Sequence, residues 1–204
     1  MPLFEVHDLG LRPFAEVHQL QQNWLQARIQ DTIGDRLILT EHPPVYTLGR
    51  KAQASNLLDT GNTPVLAIER GGDVSFHEPG QLVAYPIFAL PPARRDIMAF
   101  MHGLEAALIT TLAHFGVQGE RDSRNTGVWV KGRKIAAIGI AVRRWVSWHG
   151  LALNVNNDLQ LSRGIRPCGF DASLQTSLQQ ESGQAHSMSS VKTRLIDALQ
   201  HWWA

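Results

Sequence analysis

Cysteine is nearly absent from this chain of 204 residues, where Cys168 is the only one. A single thiol excludes an internal disulfide and any thiolate-rich metal cluster, and it suits a reducing cytosol. Charge is sparse as well: 18% of residues, 19 basic against 18 acidic, for a formal net charge of +1. That balance supplies no global attraction to nucleic acid or to an anionic membrane, so a charged partner has to be met by a local patch. No window holds the roughly 20 apolar residues of a membrane span. The amino terminus, MPLFEVHDLG, has neither the basic leader nor the apolar run of a signal peptide. The nine histidines form no HxH, no HExxH and no local cluster with carboxylates, so no metal is expected. The phosphate-cradling patterns GxGxxG and GxxxxGK followed by Ser or Thr are missing, as is the aromatic and basic interleaving of a nucleic-acid surface.

What is present describes one globular domain over 1–204, with 44% hydrophobic residues and no repeat, linker or low-complexity tract. Phe14, Val17, Leu20, Trp24 and Leu25 recur at steps of three and four and predict a helix over 14–30, with Pro13 in its first turn. Short apolar runs at 36–42, 45–50, 65–70 and 81–90, broken by prolines and glycines, read as strands or extended segments. Asp96 caps a helix carried by Ile97, Met101, Leu104, Leu108, Leu112 and Phe115 and stopped by Gly116. GVWV at 127–130, a KGR turn, KIAAIGIAVRRW at 134–145 and VSWHGLALNVN in the 147–157 region form an antiparallel meander. A last helix, VKTRLIDALQHWW, follows the cap candidates Ser189 and Ser190. Strands and helices without regular βαβ alternation predict an α+β fold, with helices packed on a mixed, largely antiparallel sheet.

Several residues could carry chemistry. Cys168, between Pro167 and Gly169, is either a small buried hydrophobe or a thiol exposed on a sharp turn, with Arg163 and Arg166 close enough in sequence to favour its thiolate. Lys134 at a strand start is either solvated or, with its amine in an apolar site, a base of depressed pKa. His77 in SFHEPG and His149 in WHGLALN are loop histidines or partners for a nucleophile. Gly71 and Gly72 let the backbone lie close to a ligand. The pairs Arg94-Arg95 and Arg143-Arg144 are solvated faces or a carrier-protein patch.

Taken in order, EHPPVYTLGR, RGGDVSFHEPGQLVAYP, GVWVKGRKIAAIGI, HGLALNV and PCG resemble the octanoyltransferase family of lipoate biosynthesis, also called lipoate-protein ligase B. The resemblance spans about residues 36 to 170 and implies the fold of lipoate-protein ligases and of the biotin protein ligase catalytic domain. It implies transfer of an octanoyl group from octanoyl-acyl carrier protein to lipoyl domains of 2-oxoacid dehydrogenase complexes and the glycine cleavage H protein, without a cofactor. On it, Cys168 forms the acyl-thioester and Lys134 tunes or deprotonates it. Substrate binding falls to Arg70, Gly71, Gly72, Asp73, Val74, Ser75, Phe76 and His77, to Ala137, Ile138 and Gly139, and to Gly150, Leu151 and Ala152. His149 and Tyr85 support them. Ser75 stands where a threonine is common, a change that keeps the hydroxyl. Thioester to thioester transfer is nearly isoenergetic and thioester to amide is downhill, so this route needs no nucleotide. An ATP-dependent lipoate or biotin ligase of the same fold, a thioesterase and a non-catalytic acyl-carrier or lipoyl-domain binding module are the competing readings.

Overall fold

The computed structural model of the chain describes residues 3–160 and 174–204, apart from the side chain of Ala54. Cys168, Arg163 and Arg166 lie outside the described residues. In chain order the elements are β1 (Glu5–Leu11), α1 (Phe14–Ile29), β2 (Arg36–Glu41), β3 (Val45–Leu48), β4 (Val65–Ala67), β5 (Val74–His77), β6 (Gln81–Ile87), α2 (Ile97–Ala113), β7 (Gly127–Val130), β8 (Arg133–Arg143), β9 (Val146–Asn154), α3 (Leu178–Ser182) and α4 (Met188–Trp203).

A six-stranded sheet runs β1-β2-β6-β9-β8-β7, and a three-stranded sheet runs β4-β3-β5. Among the described strands, β1 with β2 and β3 with β4 pair in parallel, and the other ladders are antiparallel. The expected α+β class with a mixed, largely antiparallel sheet is therefore what the chain forms.

The period-2 alternation of strands explains how the large sheet is covered on both faces. Leu37, Leu39, Leu82, Ala84, Leu151 and Leu153 join one core with Leu104 and Leu108 of α2 and Leu195 and Leu199 of α4. The intervening Ile38, Val83, Tyr85 and Ala152 join a second core with Phe14 and Val17 of α1. Each fully buried Leu or Phe contributes about 1.5–3 kcal/mol of transfer free energy. Every residue of β6 and of β9 is accordingly buried.

Three local expectations change. Pro13 is the N-cap of α1, and its carbonyl accepts from Val17 N–H. The cap of α4 is Ser187, whose hydroxyl accepts from Ser190 N–H, so Ser189 and Ser190 lie inside the first turn. α2 ends at Ala113, ahead of Gly116. Asp96 does cap α2, accepting from Ala99 N–H at 3.0 Å. No pattern in the sequence predicts the strands β1 and β5 or the helix α3; β5 lies inside the glycine-rich stretch that reads as a loop.

β9 can lie against β6 only because residue 150 lacks a side chain. A methyl group at Gly150 would sit 2.0 Å from the Ala84 carbonyl oxygen and 2.8 Å from Pro86 Cδ. Strand separation is the one relief, so Gly150→Ala is expected to destabilise the fold by about 3 kcal/mol. At Gly34 a methyl would meet nothing within 4 Å, and Gly34→Ala is expected to leave the urea midpoint nearly unmoved; equal midpoints for the two variants would contradict this account.

Candidate active site

A cavity of about 730 Å³ is lined by residues of both sheets. From the small sheet and the turn before it come Arg70 to His77; from the large sheet come Lys134, Ala136 to Ile140, Ala152 and Asn154. A narrow slot of about 30 Å³ shares Arg70, Ser75, His77, Ala137, Gly139 and Ala152 with the cavity and continues to Phe14, Val83, Tyr85 and His149. Alternation along β5 sets its contribution. Val74 and Phe76 pack with Tyr46 in a small core, whereas Ser75 and His77 line both cavity and slot.

Arg70 joins the walls. The residue is only 7% exposed, and its guanidinium donates to the Thr47 carbonyl at 2.8 Å, to Thr47 Oγ1 at 3.0 Å and to the Gly71 carbonyl at 3.0 Å. The stem passes where side chains would otherwise stand: a Cβ at Gly139 would lie 2.9 Å from Arg70 Cδ, and one at Gly49 would lie 2.8 Å from Arg70 Nη1. Gly71 N–H donates to the Ile140 carbonyl at 2.9 Å, which ties the glycine lip to β8. Gly72 has φ +83 and is exposed. Asp73 is buried and accepts from Gln53 N–H at 3.1 Å and from the Asn56 amide, so its carboxylate latches the adjoining loop.

Hydrogen bonds fix the histidine tautomers around the slot. His42 Nδ1–H donates to the Arg12 carbonyl at 2.8 Å, which leaves Nε2 to accept from Tyr85 Oη–H at 2.8 Å. His77 Nδ1–H donates to Gln81 Oε1 at 2.7 Å, while the Gln81 amide donates to the Phe76 carbonyl and Asn154 Oδ1. Burial, reinforced by His42, pushes His77 down to about 3; burial brings His42 down to about 4 against its bond to Arg12. Burial followed by His18 and Arg70 holds His149 at about 3. Burial also pushes the Tyr85 hydroxyl up. All four rings stay neutral at physiological pH.

On the opposite wall, Lys134 Nζ donates to Asn125 Oδ1 at 2.8 Å and lies 5.6 Å from the Trp129 ring centroid. Glu105 of α2 supports the segment carrying Asn125. Its buried carboxylate accepts from Gly127 N–H, Arg121 Nε–H and His102 Nδ1–H, each at 2.9 Å. Burial works against that charge, but these bonds outweigh it and hold the group below the usual carboxylate range. The chain returns to the described residues beside this wall, where Gln175 bridges Lys134 and Thr176 N–H donates to the Lys134 carbonyl at 3.0 Å.

Lys134, Arg70 to His77 and Ala137 to Gly139 are thus brought together around one cavity. Gly150, Ala152, His149 and Tyr85 line the slot. Leu151 borders the slot with its side chain in the core under α2 and α4. Cys168 lies outside the described residues. Sequence reasoning missed Thr47 and Glu105, whose partners Arg70 and Gly127 are remote in the chain, and Gln81 and Asn125, whose partners His77 and Lys134 are nearer but carry no pattern that announces the bond. The Asn125-Thr126-Gly127 turn just before the GVWV strand was the one local signal for Asn125.

The family model of the lipoyl protein ligase A/B catalytic domain matches residues 13–200. The octanoyltransferase of Syntrophotalea carbinolica is 45% identical over 94% of this chain and 90% of that protein. The octanoyltransferase of Nostoc punctiforme is 46% identical over 81% of this chain and 74% of that protein. Among solved structures, lipoate-protein ligase A bound with ATP has a TM-score of 0.75 at 14% identity, covering 98% of this chain and 85% of that one. Biotin protein ligase from Aquifex aeolicus, in complex with biotin and ATP, has a TM-score of 0.57 at 12% identity over 98% and 70% of the two chains. At such identities these structural likenesses establish the fold.

The buried histidines give a pH dependence of definite sign. Their folded pKa values lie below the ordinary histidine value of about 6.5, so the unfolded chain binds more protons as pH falls through that value and stability drops with it. Each such histidine is expected to contribute a slope approaching 1.4 kcal/mol per pH unit between about pH 6 and 4, hence about 2 kcal/mol from pH 6.5 to 5. Urea unfolding at pH 7.5, 6 and 5 checks this; stability unchanged across that range would contradict neutral burial of these rings.

Proposed function

The chain belongs to the lipoyl protein ligase A/B catalytic-domain family and within it to the octanoyltransferases, and we propose that it moves an octanoyl group from octanoyl-acyl carrier protein to a lysine of lipoyl domains through a thioester on Cys168. The observation that carries this reading is the identity of 45% to an octanoyltransferase along 94% of the chain. It favours acyl transfer over ATP-dependent ligation, because the ligases of the same fold share only 14% and 12% of positions. The acceptors are the lipoyl domains of 2-oxoacid dehydrogenase complexes and the glycine cleavage H protein. Among the described residues no helix is long and apolar enough to cross a membrane, which fits an enzyme that meets protein partners in the cytosol.

In this mechanism Lys134 holds the proton given up by Cys168, whose thiolate attacks the octanoyl carbonyl; a carbon–sulfur bond forms to the enzyme, the bond to the carrier's phosphopantetheine breaks, and that sulfur leaves as a thiol, taking the proton from Lys134. The lipoyl-domain amine then attacks the acyl-enzyme. Its nitrogen gains the acyl carbon and loses a proton to Lys134, and the Cys168 thiolate is expelled. Asn125 orients the Lys134 amine for this proton transfer through the bond at 2.8 Å. Backbone N–H groups near Gly139 or Gly150 are the proposed oxyanion donors. The octanoyl chain enters along Ala137, Gly139 and Ala152, where small residues leave room, toward the neutral rings of His77 and Tyr85.

Intact-mass analysis after incubation with octanoyl-acyl carrier protein is expected to find one octanoyl group added to the wild type and none to Cys168→Ala. Full transferase activity in Cys168→Ala would sink the thioester route, and octanoate release at one rate with and without lipoyl domain would point to a hydrolase. Lys134→Met is expected to lower kcat by about 10²–10⁴-fold, with the larger part of the loss in kcat and little in KM. Asn125→Ala should lower it about tenfold through misplacement of the same amine; an Asn125→Ala enzyme with unchanged kcat and pH profile would remove Asn125 from this role.

A further inference from the structure

Away from Lys134, α1, the segment after β4 and β9 bring three metal-binding side chains to one point. His18 Nε2 lies 3.0 Å from Glu69 Oε2, and His149 Nε2 lies 3.6 Å from the same oxygen. One ligand atom from each residue lies within 4.8 Å of the other two. Zinc bonds to nitrogen and oxygen of about 2.0–2.2 Å set neighbouring ligand atoms of a tetrahedron about 3.3–3.6 Å apart. The two spacings to Glu69 match this to within about 0.6 Å, and the two histidine nitrogens, within 4.8 Å of each other, would have to draw together around one ion.

A second observation is independent of that spacing. The His149 side chain is 1% exposed, and both ring nitrogens are buried without a hydrogen bond to the described residues. Buried polar atoms of this kind are uncommon, because desolvation goes uncompensated unless another group meets them. The backbone leaves the ring little freedom: His149 has φ 54, and its N–H is held by Gln21 Oε1 at 2.9 Å. His18 and Glu69, with side chains 19% and 43% exposed, open the cluster to solvent and supply an entry path.

We propose that His18, Glu69 and His149 form a site for one divalent cation of the zinc class, with the fourth position open to water. Two imidazoles and one carboxylate suit zinc, whereas magnesium and calcium prefer all-oxygen sites. The ion would cross-link α1, the segment following β4 and the bent start of β9. Neither His18 nor Glu69 has a part in the acyl transfer proposed above; His149 also borders the slot, so the site is tested on His18 and Glu69, apart from that reading.

The test is titration of chelator-treated full-length protein with Zn²⁺ against a chromophoric competitor, under thiol-reducing conditions. One equivalent is expected to bind the wild type and Cys168→Ser alike, with affinity at least tenfold weaker in His18→Ala and in Glu69→Gln. Zinc should raise Tm by several degrees in wild type and Cys168→Ser but not in the two site variants, and Mg²⁺ should raise it in none. Absence of stoichiometric zinc in the wild type would overturn the proposal, as would binding lost in Cys168→Ser and retained in His18→Ala. Glu69→Gln, at an exposed position, carries the same comparison where His18→Ala does not fold.

Discussion

The Arg70 guanidinium threads between Gly49 and Gly139, and the candidate site depends on that passage. One side of it grips the Thr47 carbonyl and hydroxyl on β3; the stem runs against β8 at the point where any Cβ would intrude. A buried arginine is tolerable only where hydrogen-bond acceptors satisfy its fixed fork of donors. The small sheet is thereby held at one distance and angle from the large one, and the gap between them is the cavity. Gly71, bonded to Ile140, closes the same junction from the backbone. Because the lip residues Arg70 to His77 belong to this junction, their placement is a consequence of packing between sheets and is not a property of the loop alone.

The opposite wall is built on a different principle. Lys134 stands at the start of β8, where a strand edge would ordinarily leave an amine in water. Asn125 and the Trp129 ring hold it, and Asn125 in turn lies on a segment secured by Glu105 from within α2. A carboxylate that is only 4% exposed costs solvation unless several donors meet it, and three do. The helix that covers the core thus also sets the height of the lysine, linking the packing of α2 to the chemistry proposed at its amine.

This division explains what the sequence could reveal. Strands with one residue set on each face announce themselves by alternation, as in Leu37, Ile38, Leu39 or Leu82, Val83, Ala84, and the helical spacing of α2 and α4 is equally plain. β1 is an edge strand with a polar, half-exposed pattern, and β5 is a short strand entered through two glycines; neither carries a period long enough to read. At the site, Lys134, Arg70 and His77 were legible through resemblance to a family. Supports such as His42, Thr47 and Glu105 were not, because each is defined by a partner far along the chain: His42 by Tyr85, Thr47 by Arg70, Glu105 by Gly127. A polar residue carries no periodic signature of the hydrogen bond it will make after folding.

The slot that continues from the cavity is lined by neutral side chains although histidines line or support it. His42, His77 and Tyr85 are buried, and each is hydrogen-bonded to a neighbour: His42 bonds Arg12 and Tyr85, and His77 bonds Gln81 through Nδ1. Ring faces remain for packing: Phe14 lies 6.0 Å from His77 and 5.2 Å from His42, centroid to centroid. Such a lining presents flat, neutral surfaces, and directional bonds hold the rings of His42 and His77 each in one tautomer and orientation. Leucines in their place would supply similar apolar area but no link between α1, β2 and β6. Neutral histidine therefore serves as a rigid aromatic wall, and its titration is a cost the fold bears in acid in exchange for that rigidity near neutral pH.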